Sequence, residues 1–261
     1  MIMVRYCYIV AEGPQDIEFL ICFLKFYGLK RVTLLSELDS FWEPLVPKTF
    51  PINGDLMKRV PVPIFLQNAD LSVALHSATG ITGLSNTIEE SLAIVPSSEI
   101  FGIGIFLDAD DVETPQQRFE KLIPELSRLG LSLPSIPSIL GEVAKGSPRC
   151  GIFIAPNNSE SGTLEDILLE CAKLNYPNLF FLATDYVAGI DTNQLTNNDL
   201  KQLNKPAGKN KAVVSSISSI LRPGKTLQVS IQDNRWIDEN TMALDSVKLV
   251  KIFLDEVTGS T

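Results

Sequence analysis

The chain has 261 residues, 45% of them hydrophobic, and a formal net charge of −9. That apolar content fills one globular core, so a single α/β domain spanning 1–261 with an insertion is expected. The negative balance excludes a protein that coats duplex DNA by counterion release alone.

No apolar run approaches the ~20 residues of a bilayer helix, and no basic region followed by a cleavable apolar segment is present, so a cytoplasmic protein with no membrane association is expected. Cys7, Cys22, Cys150 and Cys171 are scattered without a C-x-x-C pair, two in strand-like and two in helix-like runs. This is the distribution of reduced core thiols, not of a zinc site or a disulfide framework.

In chain order, the β-branched and aromatic run MVRYCYIV (3–10) predicts a strand, and Gly13 and Pro14 then mark a turn and a first helical position. Ile17, Leu20, Ile21 and Leu24 form the buried stripe of that helix, which stops at Gly28. Residues 36–70 are proline-rich without a clean period and read as an insertion, with a hairpin around NGD at 53–55. LSVALHSATG (71–80) predicts a strand, LSNTIEESLAIV (84–95) a short helix, and IFGIGIFLDAD (100–110) a strand apolar on both faces. Such a strand belongs in the middle of a parallel sheet.

Thr114, Pro115 and Gln117 make a capping-box start, and Phe119, Leu122, Ile123, Leu126 and Leu129 give the helix its apolar stripe. RCGIFIAP (149–156) is the fourth strand, and the helix after NNSESGT carries Leu164, Ile167, Leu168, Cys171 and Leu174. A polar segment, a basic loop with a helix (KPAGKNKAVVSSISSIL) and a closing helix (DSVKLVKIFLDEV) make a helical C-terminal part at about 200–261.

Alternating strands and helices bring every strand C-terminus to one edge of a parallel sheet, where ligand chemistry gathers in open α/β folds. Glu12, Asp108, Asp110, Asn157, Asn158, Glu165 and Asp166 all fall there. Asp108 and Asp110 are two apart on extended chain and point the same way; packed carboxylates repel unless a cation sits between them, and Mg²⁺ takes such oxygen ligands. Several acidic residues of this region also have a purely structural use. Asp16 lies where a carboxylate favours the helix dipole, Asp166 where it completes a capping box with Thr163, and Asp111 and Glu113 simply precede a helix. Glu165 is off the apolar stripe and has no such use. His76, the single histidine, lies in a strand-like run and reads as packed or hydrogen-bonded, so nucleophile–histidine catalysis has little support. GPQD and SGTLED lack the Gly-rich plus Lys pattern of a nucleotide P-loop.

IVAEGPQDIEFL with Glu12, followed by GIFLDADD with Asp108-x-Asp110, resembles the Toprim fold of topoisomerases, primases and OLD-family nucleases. The further match of GIFIAPNNSESGTLEDILL and KNKA, over about 4–255, resembles the standalone Toprim-like family DUF3226. The resemblance implies a Toprim-like (Rossmann-like), mostly parallel central sheet flanked by helices, and Mg²⁺- or Mn²⁺-dependent phosphodiester chemistry. Carried over by position, it implies Glu12, Asp16, Asp108, Asp110, Glu165 and Asp166 around metal, Glu12 also as acid/base, and Lys209 or Lys211 as the phosphate-facing cation. The partners implied are DNA or RNA, bound transiently, and a separately encoded ATPase or helicase. The lysines also read as a solvated basic loop, and a catalytically silent module binding metal, nucleotide or a protein partner is the alternative.

Overall fold

A computed structural model describes residues 4–49, 62–78, 80–109, 113–133 and 141–260. Arg5–Ala11 (β1) runs into Pro14–Phe26 (α1), where Pro14 opens the helix. Lys30–Arg31 (β2), Ile64–Gln67 (β3) and Leu71–Ser77 (β4) follow, then Leu84–Ile94 (α2), Ile100–Asp108 (β5) and Pro115–Arg128 (α3). At the start of α3, Gln117 donates its N–H to Thr114 Oγ1 and returns its Oε1 to the Thr114 N–H, so the capping box closes in both directions. Val143–Ala144 (β6) and Arg149–Ala155 (β7) complete the strands. The helices after them are Leu164–Asn175 (α4), Pro177–Ala188 (α5), Asn197–Leu203 (α6), Gly208–Leu221 (α7), Leu227–Asp233 (α8) and Asp245–Thr258 (α9). No helix among the described residues is long and apolar enough to cross a membrane.

The strands form one sheet in the order β2-β3-β4-β1-β5-β7-β6. The four central strands β4, β1, β5 and β7 are parallel, while β3, β2 and β6 join antiparallel at the edges. The sheet is therefore mostly parallel and mixed. Because side chains alternate across a strand, Cys7, Ile9, Ala11, Phe106 and Phe153 face a core shared with α1, α4, α7 and α9, and Tyr8, Val10, Ile103, Ile105 and Ile152 face one shared with α2 and α3. Burial of each large apolar side chain contributes about 1.5–3 kcal/mol, and both faces of the central strands are filled.

The alternating Gly102 and Gly104 of β5 have a use on the first face. A Cβ at Gly102 would lie 2.0 Å from the Val257 carbonyl oxygen, and one at Gly104 3.4 Å from the Phe253 ring. With Gly151 of β7, they form a trough in which α9 lies against the sheet.

Several elements differ from expectation. The described parts of 36–70 hold β3 and a segment that places Trp42 in the core, its Nε1 donating to Ser72 Oγ at 2.9 Å; this part of the insertion widens the sheet and covers a face of it. The hairpin expected at NGD lies outside the described residues. β4 stops at Ser77, three residues early. The polar segment before the basic loop contains α5 and α6, so the helical part begins at Pro177. Helix α7 starts at Gly208, which puts Lys209 and Lys211 in its first turn and not in a loop.

Candidate functional site

Parallel pairing aligns the ends of the central strands: Ala11 lies opposite Ser77, and Asp108 opposite Ala155. Glu12 directly follows β1. Gly13 caps α1 in extended backbone, and its N–H is accepted by Asp16 Oδ2 at 2.7 Å, which turns the Asp16 carboxylate back toward the strand end. On β5, the pleat that directs Phe106 toward α1 and α4 directs Asp108 the same way. Its Oδ1 accepts the Leu164 N–H at 2.8 Å at the start of α4. Glu165, the next residue, is buried. Three segments of the chain thus bring Glu12, Asp16, Asp108 and Glu165 to one place.

Electrostatics register the crowding. Burial pushes Asp16 up to about 7; the Gly13 N–H opposes this, and the charges of Glu12 and Glu165 add to it. Asp108 is raised well above the usual carboxylate range by burial first, then by Asp16, Glu165 and Glu12, against the Leu164 N–H. The Oε2 of Glu165 is buried and has no hydrogen-bond partner among the described residues. A buried carboxylate oxygen without a donor is costly, since the charge has left water without compensation.

Asp166 stands one residue beyond with both oxygens engaged. Oδ2 accepts the Thr163 N–H at 2.8 Å and Oδ1 the Asn210 side-chain amide at 2.7 Å. Asn210 fastens the first turn of α7 to that of α4, with the exposed Lys209 and Lys211 on either side of it in sequence. Nothing in the sequence singles Asn210 out except its place inside KNK. Gly162 makes room for this arrangement: its φ is +153°, and a Cβ there would lie 2.6 Å from Asp166 Oδ2.

Asp110 and Asp111 lie outside the described residues. Glu113 pairs with Lys121 and Arg118, which holds its carboxyl below the usual range. Asn157 and Asn158 shape the loop after β7: Asn158 Oδ1 accepts the Ile154 N–H at 2.7 Å, and Asn157 Oδ1 the Glu160 N–H at 2.9 Å. His76 is buried, its Nδ1 2.9 Å from the Tyr8 hydroxyl and 3.3 Å from Ser91 Oγ. The four thiols are free and buried, which raises each pKa, Cys22 to about 11 and Cys7, Cys150 and Cys171 to about 12. Among the described residues, no group of three or more His, Cys, Asp and Glu side chains is disposed as it stands to hold a metal ion.

Fold and site together define an α/β protein whose parallel strand ends carry a carboxylate cluster, with Asp16 and Glu165 buried and Glu12 and Asp108 half-buried. The chain belongs to the family described as "Protein of unknown function (DUF3226)", which matches residues 8–255. A solved structure, "Crystal structure of hypothetical protein PH0156 from Pyrococcus horikoshii OT3", is similar at 20% identity with a TM-score of 0.53, over 97% of this chain and 95% of that one. This likeness concerns the fold. No curated protein matches the chain.

Proposed function

We propose that the chain is a Toprim-like enzyme of divalent-cation-dependent phosphodiester chemistry on DNA or RNA, most specifically a nuclease of the OLD type. The observation that carries this reading is Glu165 Oε2, buried and without a donor among the described residues, beside three further carboxylates. The donor set is all oxygen and all acidic, which suits a hard cation such as Mg²⁺ or Mn²⁺. Glu12, Asp16, Asp108 and Glu165 would hold it. When bound, such a cation polarises a phosphoryl oxygen and lowers the pKa of water at neutral pH.

The chain's own residues do the rest. Glu12 accepts or returns a proton at the strand edge. Asp166 keeps the first turn of α4 in register through Thr163 and holds α7 through Asn210. Lys209 and Lys211 offset charge on the phosphate, which a protein of net charge −9 can do only with a local patch. A separately encoded ATPase or helicase would deliver the strand. One observation favours the alternative, a catalytically silent module binding metal, nucleotide or a protein. Asp16 and Asp108 already accept backbone N–H bonds, and such bonds serve to shape the edge whether or not chemistry follows.

The test incubates wild type and Glu12→Gln with plasmid, single-stranded DNA and RNA in Mg²⁺ and in Mn²⁺. Cleavage by wild type that falls at least 100-fold in Glu12→Gln is expected. Equal cleavage by both identifies a contaminant, and no cleavage by either, with the ATPase partner added, leaves the silent module.

A further inference from the structure

The N-terminal end of α7 borders a second feature, a cavity of about 820 Å³ beside α6. Ile190, Leu195, Leu203 and Pro206 give it an apolar lining. Lys205 and Lys211 also line it and give it a positive edge in an otherwise acidic protein. Asp199 lines it too, but its carboxylate is turned to the Thr196 N–H and hydroxyl at 3.0 and 2.6 Å, where it caps α6. The cavity is joined to the carboxylate site through one residue: Asn210, the neighbour of Lys211, donates to Asp166.

An apolar lining with a cationic edge fits a ligand that is flat and apolar on one side and anionic on the other. We infer that this cavity receives a short run of unpaired nucleotides of a nucleic-acid strand, with Lys205 and Lys211 at its phosphates and the apolar lining against its bases. The inference rests on the reading of the carboxylate cluster as a phosphodiester site and names its substrate as single-stranded. In a duplex each base face is stacked on the next and unavailable to a protein surface, whereas an unpaired strand offers faces and phosphates together. The volume exceeds that of one base, so a short run of strand enters, and Tyr186 and Phe181 of α5, both more than half exposed, stand on the helix that leads to Ile190.

The experiment measures binding in EDTA, so that the carboxylate chemistry is silent. Fluorescein-labelled eight-nucleotide DNA and RNA strands, the matching DNA duplex and free thymidine monophosphate are titrated with the full chain by fluorescence anisotropy or competition. Wild type is expected to bind one of the single strands at least tenfold more tightly than the duplex or the mononucleotide. Lys205→Glu and Leu195→Asp, each checked for an unchanged melting temperature, are expected to weaken that binding at least tenfold. The DNA and RNA arms decide the sugar. Equal affinity for strand and duplex, equal affinity for the mononucleotide, no binding at all, or full binding by both folded variants would each overturn the inference. Strand binding without cleavage in Mg²⁺ or Mn²⁺ would sink the nuclease reading and leave the cavity assignment standing.

Discussion

Leu164 donates its backbone N–H to Asp108 Oδ1 at 2.8 Å, a bond between residues 56 apart in sequence. It locks the end of β5 to the first turn of α4, and so fixes Glu165 beside Asp108 through backbone rather than through side-chain chance. Asp108→Asn keeps the acceptor and removes the charge that offsets dehydration of an ion. Isothermal calorimetry should show Mg²⁺ or Mn²⁺ affinity at least tenfold lower, with the fold unchanged. Asp108→Ala should in addition cost about 1–2 kcal/mol of stability through the lost N–H acceptor. Wild-type affinity in Asp108→Asn would place the cation elsewhere.

Glu165→Gln should stabilise the metal-free protein. It removes one of the mutually repelling buried charges and gives Oε2's position a chance to become a donor toward Asp108 or Asp16. A gain of about 1 kcal/mol is expected, a rise of about 2–4 °C in melting temperature for a chain of this size. In 10 mM-scale Mg²⁺, of the order used in nuclease buffers, the ranking should reverse, because wild type gains binding energy that the variant lacks. A variant less stable than wild type in EDTA would show that the cluster is not under charge strain.

The pH dependence of stability follows from Asp16 and Asp108. Asp16 is raised from 3.8 to about 7, so across that window the folded chain holds a proton that the unfolded chain has released. Stability contributed by that proton is complete below about pH 4, falls as pH rises, and is gone above about pH 7; Asp108 acts in the same direction. Urea denaturation in EDTA should show stability declining with pH by about 1 kcal/mol per unit between pH 5 and 7. The decline should flatten in Asp16→Asn, and an identical profile in that variant would remove Asp16 as its origin.

Gly162→Ala should damage the link between α4 and α7. The new Cβ would meet Asp166 Oδ2 at 2.6 Å in a backbone conformation that L residues rarely adopt. A loss of about 1–3 kcal/mol is expected. Asn210→Ala, which removes only the Asp166 partner, should cost less and loosen the α7 end specifically, read as faster amide exchange over Gly208–Lys211. Unaltered exchange there would make the contact incidental.

The central strands and the helices between them were legible because β1, β4, β5 and β7 carry β-branched runs bounded by turn residues, and α3 and α4 announce themselves at Thr114 and Thr163. Helix α5 was not, since PNLFFLATDYVA has consecutive apolar residues with no stripe, leaving Phe181, Leu182 and Tyr186 exposed. Strand β3 hid directly after Pro61 and Pro63, with only four residues to show a period. That Glu12, Asp108 and Glu165 share one edge could be read from topology, because parallel strands end there; Asp16 was pointed to only by the family resemblance. Asn210 could not be read, as its role depends on how α7 packs against α4, and no local pattern encodes that.

The glycine trough under α9 bears on the order in which the protein can be completed. Gly102, Gly104 and Gly151 leave a groove on the sheet into which Phe253 and Val257 pack, and Arg5 of β1 donates to the Thr258 and Gly259 carbonyls at 2.9 and 2.6 Å. β1 therefore waits for α9, a contact of very long sequence separation of the kind that slows folding. On the ribosome the carboxylate edge can assemble while its opposite support is still missing, so a nascent chain stalled before α9 should expose an apolar channel and recruit chaperones.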